Sequence, residues 1–338
     1  MKFFRKFDRP IQIKRVCCAM SPYTVLQYLL ITDCDDIDAT YFFFPSTLNS
    51  KIRGKFRKKH VFYYSKWCRL IKPLIWIYWY GLKRFKFYIW PFLHTAQIFG
   101  EDQVLYCWLV LNGLSYIMLE DGTGTYRQPD VCRKNLFQMI ERHMFRPISY
   151  AYWGQNEFCK GFILTNPEVF DAHGKSVTKL NIKDAWSTAS ERKKKFIFSV
   201  YGVSMEVLVS LMKGIENIVL TQPFSENGEM TENEKLSCYR YIIETYGLNP
   251  EVTLLKTHPR ERTDYGQIFK GYRICTLKIP VELMALVSAN VRRVFTLTST
   301  GAFMFHSFAE VVWLGSRISP SLRRLYGDVP DMINRKAV

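Results

Sequence analysis

The chain has 338 residues, is 48% hydrophobic and 23% charged, and carries a formal net charge of +17. That length suits two domains of ordinary size, and that balance predicts a folded soluble body. The nine cysteines form no C-x-x-C pair and no Cys/His cluster with zinc spacing, which excludes a disulfide framework or a zinc module and reads as reduced thiols.

Residues 1–11 read as a basic lead-in, followed by an apolar strand at Ile13–Met20 and a helix from about Pro22 to Leu30. Tyr41–Phe44 is a short apolar run that suits a second strand. Residues 48–92 look helical and basic, with turns expected at Gly54, Pro73 and Gly81. Gln103–Leu111, Leu114–Leu119 and Phe158–Leu164 are further strand-like runs. The polar stretch Lys179–Ser190 and the charged run Glu191–Lys195 suggest a domain boundary near residue 188. A second strand series follows at Ile218–Thr221, Val252–Lys256, Tyr272–Leu277 and Val294–Thr298. Thr231 and Glu234 fit a capping box for a helix over Thr231–Tyr246, and Pro280 precedes a helix beginning at Val281. Apolar runs alternating with amphipathic pieces predict an α/β fold, a parallel sheet with helices on both faces.

Three of these runs end in polar clusters, where an open α/β sheet lines its ligand crevice. After Glu251–Leu255 comes Lys256-Thr257-His258-Pro259-Arg260-Glu261, a histidine between two cations. His can give or take a proton near neutral pH. Arg260 has an alternative partner in Glu261. After Tyr116–Leu119 comes Glu120-Asp121-Gly122-Thr123-Gly124, two carboxylates and a glycine-rich turn, where a carboxylate can act as a general base. After Val294–Leu297 comes Thr298-Ser299-Thr300-Gly301, hydroxyls at a helix start that suit an anion. The ordinary alternatives are a structural histidine, a tight turn and a Ser/Thr N-cap.

In this order the three clusters resemble the motifs of bacterial sialyltransferases, most closely glycosyltransferase family 52, which includes lipooligosaccharide and capsule enzymes. Glu120-Asp121-Gly122 matches the acidic-acidic-Gly motif, His258-Pro259 the His-Pro motif and Ser299-Thr300 the Ser/Thr motif. Cys17–Leu26 is similar to the family's opening strand and turn, and Ile218–Glu226 to the strand that opens its second half. The resemblance implies a GT-B-like fold of two Rossmann-like domains facing a central cleft. Residues 1–188 would form the acceptor side, with a basic aromatic-rich insertion at about 48–92, and 189–338 the nucleotide-sugar side. It implies inverting, metal-independent transfer from CMP-sialic acid to a terminal sugar, such as galactose, of a cell-envelope glycan, without a cofactor. His258 would stabilise or protonate the leaving phosphate, and Lys256, Pro259, Arg260, Thr298, Ser299, Thr300 and Gly301 would bind the donor. Asp121 is the first choice of base. Glu226, the carboxylate nearest the end of the Ile218 strand, competes for that role. Glu120, Gly122 and Gly124 would support the acidic motif. Asp33-Cys34-Asp35-Asp36 is acidic but reads as a loop, so no metal is expected.

Alternatives are another family 52 activity, such as a glucosyltransferase with a different nucleotide donor, and a non-enzymatic basic adaptor. The strand-end motifs count against the adaptor. Basic residues concentrate in Lys2–Arg15 and Lys51–Lys86, and no acidic residue lies between Lys51 and Gly100. The second stretch interleaves cations with aromatics such as Trp67, Trp76, Tyr78, Phe85 and Tyr88, which suits an anionic membrane surface. No nucleic-acid module signature occurs. The run Leu74–Tyr80 is cut off by Lys83, Arg84 and Lys86, well short of the roughly 20 residues of a span. No secretory signal is visible, so the chain is expected in the cytoplasm, peripheral to the inner face of the plasma membrane. Expected partners are a nucleotide-sugar donor, a lipid-linked glycan acceptor and that membrane, with a homodimer left open and nucleic acid not expected.

Overall fold

The computed structural model describes residues 12–62, 72–103, 105–121, 125, 153–288, 290–306 and 308–327. It divides into a unit over Met1–Gly202 and a unit over Val203–Val338.

The first unit holds strands β1 (Arg15–Cys18), β2 (Thr40–Pro45), β3 (Lys59–Phe62), β4 (Gln97–Gly100), β5 (Tyr116–Leu119), β6 (Cys159–Leu164) and β7 (Ser176–Lys179). They pair in the order β3-β2-β1-β4-β5-β6-β7, every pairing parallel. The second unit holds β8 (Asn217–Leu220), β9 (Thr253–Lys256), β10 (Arg273–Cys275), β11 (Arg293–Thr296) and β12 (Glu310–Trp313). Their order is β10-β9-β8-β11-β12, again all parallel. Near-continuous apolar runs such as Thr40–Pro45 and Asn217–Leu220 are what strands covered on both faces require. Each sheet runs outward in both directions from its first strand. Its order therefore reverses once, between β1 and β4 in one unit and between β8 and β11 in the other, and such a reversal opens a crevice at the strands' carboxyl ends. At Gly100 the strands come close enough that an added Cβ would lie 2.7 Å from Cys18 Cβ, so a side chain there would push β4 from β1.

Several sequence expectations change. Gln103–Leu111 is not a strand: Leu105–Leu111 is a helix and the strand is the preceding β4. Cys107 to Leu111 are all buried, and a short all-apolar run does not reveal its period. The 48–92 stretch contains β3, and Gly81 makes no turn but lies within the helix Lys72–Ile89. Glu191–Lys195 begins the helix Glu191–Tyr201, capped by Ser190 Oγ, which accepts from Lys193 N. That helix packs on the first unit. Phe196 meets Phe56, Lys193 Nζ donates to Leu30 O, and Tyr201 OH donates to Pro22 O. The division thus falls after Gly202, whose left-handed backbone ends the helix, rather than at residue 188. Thr231 does cap Glu232–Thr245, but Glu234 does not return to it. Its carboxylate instead accepts from Ser319 Oγ, Ser321 N and Ser321 Oγ, capping the helix Pro320–Tyr326.

Lys86 is also corrected: it is 2% exposed and contributes nothing to a basic face. Its ammonium donates to Leu109 O, Val110 O and Asn112 O, carbonyls at the end of the Leu105–Leu111 helix. We expect Lys86→Ala to cost on the order of 1–3 kcal/mol, because it strands buried helix-end acceptors. Urea unfolding with an unchanged midpoint would refute this cap.

Candidate functional site

In the second unit, parallel pairing brings the carboxyl ends of β9, β8 and β11 side by side. His258 follows β9, Gln222 to Glu226 follow β8, and Thr298 to Gly301 follow β11. His258-Pro259-Arg260-Glu261 is a tight turn: Glu261 N donates to His258 O at 3.0 Å, with Pro259 at the position its fixed φ suits. Arg260 N donates to His258 Nδ1 at 3.2 Å, so the neutral ring carries its proton on Nε2. Burial first, then the charges of Arg260 and Lys256, push the His258 pKa down to about 4. The ligand-free imidazole is therefore neutral at pH 7. A bound anion would reverse that trend. Arg260 is exposed, and no ion pair joins it to Glu261. Lys256 is buried, with Nζ donating to Thr257 O at 2.6 Å.

Glu261 turns inward instead. It accepts from His258 N at 2.6 Å, from Tyr265 OH at 2.6 Å and from the Thr221 hydroxyl. Behind it lies Lys235, whose side chain is fully buried. Its ammonium stands 3.0 Å from Glu226, 3.1 Å from Glu232 and 3.9 Å from Glu261, and donates to Thr263 Oγ1 at 2.6 Å. Glu226 accepts from this ammonium, from Arg262 N at 2.7 Å and from Ser225 Oγ at 3.0 Å. Burial alone would raise its pKa, but those donors outweigh it and hold the carboxyl at about 2. A carboxylate so fully engaged is a weak base and a strong anchor. A cavity of about 500 Å³ lined by Ser225, Glu226, Glu232, Arg262 and Thr263 opens beside it.

At the β8/β11 reversal, Thr298 N and Oγ1 both donate to Gln222 Oε1, at 2.9 and 3.1 Å. The Thr298 hydroxyl is thereby committed within the fold. Gln222, to which the sequence assigned no role, is the link between the two loops. Ser299 leads into a 3-10 turn, Thr300–Phe305, and caps nothing with its side chain. That short 3-10 segment supplies less helix-end potential than the longer helix expected there. Gly301 is required sterically: an added Cβ would lie 2.1 Å from Val281 Cγ1.

In the first unit the corresponding reversal carries acids. Met20 and Ser21 follow β1, Glu101 and Asp102 follow β4, and Glu120 and Asp121 follow β5. Glu120 is structural. Its carboxylate accepts from Thr165 N at 2.7 Å, Thr165 Oγ1 at 2.8 Å and Tyr23 OH at 3.2 Å. Asp102 is equally engaged, accepting from Trp153 N, Gly154 N, Asn156 Nδ2 and Tyr116 OH. Asp121 differs. Its amide donates to Thr125 Oγ1 at 2.8 Å. Burial raises its carboxyl to about 6, with hydrogen bonds to Ser21 and Glu101 working against the rise. Gly122 and Gly124 lie outside the described residues, as does the side chain of Thr300. Among the described residues no cluster of three or more His, Cys, Asp or Glu is arranged to hold a metal.

Two doubly wound parallel units with polar strand ends place the chain in the GT-B class of fold. Residues 94–314 match glycosyltransferase family 52, and the chain belongs to that family. It is 32% identical over 240 residues to an uncharacterized protein of Haemophilus influenzae, covering 70% of this chain and 74% of that one. Among solved structures, a 2,6-sialyltransferase of Photobacterium sp. JT-ISH-224, in complex with CMP and lactose, superposes with a TM-score of 0.51 at 10% identity. The match covers 86% of this chain and 69% of that one. An α/β-galactoside α-2,3-sialyltransferase of Photobacterium phosphoreum matches over 88% and 89%, at 13% identity and a TM-score of 0.49.

The Glu226 anchor has a pH signature. A carboxyl depressed in the folded protein contributes stability that is present above its unfolded pKa of roughly 4.3 and lost as pH falls through the folded value near 2. Glu226→Gln should lower the melting temperature at pH 7 and flatten the stability profile over that acid window. A variant that melts like the parent at every pH would show that Glu226 holds nothing.

Proposed function

We propose that the protein is an inverting sialyltransferase that moves sialic acid from CMP-sialic acid to a terminal sugar, such as galactose, of a cell-envelope glycan. The observation that carries this is the convergence of His258, the Ser299–Thr300 turn and the Gln222 loop at three adjacent strand ends of the second unit. Family membership supports the class of reaction. The neighbour bound to CMP and lactose supports the fold that such chemistry uses.

In this proposal the second unit binds the nucleotide, and its cationic and N–H groups replace a metal. Arg260 and Lys256 flank His258 in sequence, and Ser299 offers a hydroxyl that caps nothing. The His258 Nε2–H faces the charge that develops on the departing phosphate oxygen as the bond to the sialyl anomeric carbon breaks. The anionic donor raises the His258 pKa above its ligand-free value near 4, which strengthens that contact in the complex. Asp121 is assigned as the base that takes the proton of the acceptor hydroxyl as the new glycosidic bond forms. Glu226 is assigned the anchoring role described above.

The donor decides the proposal. Incubated with CMP-sialic acid or UDP-sugars, the protein should turn over the CMP donor alone. Turnover of a UDP-sugar with none of CMP-sialic acid would identify a different family 52 activity. His258→Ala should lower transfer by about 10²–10⁴ while the protein stays folded. Activity within threefold of the parent would remove His258 from the chemistry.

We also propose that the enzyme works at an anionic membrane surface on the cytoplasmic side, where a lipid-linked acceptor would be held. On the helix Lys72–Ile89, Tyr78, Phe85 and Ile89 fall on one exposed stripe, and Tyr80, Arg84 and Tyr88 on the next. No single helix among the described residues is long and apolar enough to cross a membrane. Exposed aromatics beside cations suit an interface, whose charge attraction salt screens over about 8–10 Å. The protein should sediment with phosphatidylserine vesicles at low salt and be released by Tyr80→Ser, Phe85→Ser and Tyr88→Ser together. Equal sedimentation with neutral vesicles would refute the anionic preference, and a triple variant that stays bound would rule out this face as the lipid contact.

A further inference from the structure

Glu101 stands at the point where the first sheet reverses its order, directly after β4, beside the end of β1. It is completely buried. Its amide donates to Cys18 O at 3.2 Å, and Oε1 accepts from Met20 N at 3.0 Å. Among the described residues Oε2 is buried without a hydrogen bond of normal geometry, and the Thr24 hydroxyl is the side-chain donor that lowers the pKa of the carboxyl. An ionised carboxylate cannot rest there, because a buried charged oxygen without a partner costs several kcal/mol. A protonated Oε2 solves the problem, since it becomes a donor, and the acceptor at hand is the carboxylate of Asp121. Among the described residues the groups facing the pair are Cys17 and Cys18 of β1, Tyr106 and Cys107 of the helix Leu105–Leu111, and the Ser21 and Thr24 hydroxyls. None is a cation that could neutralise a second negative charge.

We propose that Glu101 is the positioning residue for Asp121, holding the one proton of an acid–carboxylate pair and donating it as a hydrogen bond that aims Asp121 and keeps it ionised. This deepens the assignment of Asp121 as base and rests on it. Burial pushes Glu101 well up, and the nearby Asp121 charge pushes it further, so the proton stays on Glu101 when Asp121 ionises near 6. Two like charges this close do not both ionise at neutral pH. No bond to carbon forms or breaks at Glu101. The proton taken from the acceptor goes to Asp121.

Two substitutions separate a neutral donor from a second charge. In Glu101→Gln the amide N–H replaces the acid O–H, and the carbonyl still accepts from Met20. In Glu101→Leu no donor remains. The readout is the Asp121 carboxyl titration by carbon-13 NMR of the full-length protein, assigned with Asp121→Asn. The parent and Glu101→Gln should share a midpoint near 6, while Glu101→Leu should move it upward by about one unit or more. A downward shift of that size in Glu101→Gln would mean that Glu101 is charged, and would overturn the proposal. An unmoved midpoint in Glu101→Leu would overturn it as well. Should Glu101→Leu not fold, Glu101→Gln alone still decides, because removing a charge and preserving a donor give different results. The acid limb of kcat/KM for sialyl transfer, measured on the same proteins, tests the base assignment separately. A limb that ignores the NMR order removes Asp121 as base and leaves the pair intact.

Discussion

A single buried ammonium organises the second unit's strand-end loops. Lys235 projects from the first turns of the helix Glu232–Thr245 into a region from which water is excluded. A lone charge there would be prohibitively costly, and it is tolerated because Glu226, Glu232, Glu261 and the Thr263 hydroxyl surround it. The carboxylates then hold the loops with their remaining lone pairs. Glu261 fixes the amide of His258, Glu226 fixes the amide of Arg262, and the β8 end is tied in through Thr221. The imidazole is thus placed by backbone hydrogen bonds two steps removed from the cation. Such networks favour geometry over net stability, since each partner's desolvation offsets most of the attraction. A reacting group gains from that exchange, because small misplacements cost large factors in rate.

The first unit solves the same problem with acids alone. Four carboxylates follow β4 and β5, and two of them, Asp102 and Glu120, are saturated by amide and hydroxyl donors. Those two are loop holders. Glu101 and Asp121 are left with fewer donors than an ionised pair requires, and in the proposed mechanism that shortage separates the base and its partner from the structural acids. Identity and position at a strand end do not distinguish the four. Their donor supply does.

Much of this was legible in the sequence where short apolar runs ended in polar clusters. β5, β8, β9 and β11 were visible that way, as were the His258 turn and the Asp121 motif. The alternation of runs also gave the parallel α/β class. What was hidden followed physical causes. Cys107 to Leu111 are buried without a break, so the helix Leu105–Leu111 lacks a helical signature. β3 and β7 are edge strands with few apolar residues, Lys59-His60-Val61-Phe62 and Ser176-Val177-Thr178-Lys179, and resemble loops. Glu101 and Gln222 act through partners about 20 and 76 positions away, Asp121 and Thr298, and one-dimensional spacing carries no trace of that. A weak signal for Glu101 did exist: Gly100-Glu101-Asp102 repeats the strand-then-two-acids pattern of Leu119-Glu120-Asp121.

Charge is distributed against the overall balance of the chain. The formal net charge is +17, yet the strand-end residues of the first unit singled out above are carboxylic acids, and the fully buried ammonium of Lys235 in the second is surrounded by glutamates. The excess positive charge therefore lies elsewhere, on exposed side chains such as Arg57 and Arg84. This separation matters for a protein that would meet an anionic donor and an anionic surface. Distant surface charge acts on encounter and is weakened by salt, whereas groups held in low dielectric act on the bound state and are not. His258 belongs to the second kind. Being neutral when empty, it adds no repulsion to Lys256 and Arg260 in the resting fold. In the proposed mechanism an incoming phosphate would supply the negative charge that stabilises its protonated form, so the positive potential at the strand ends would grow with the arrival of the anionic donor.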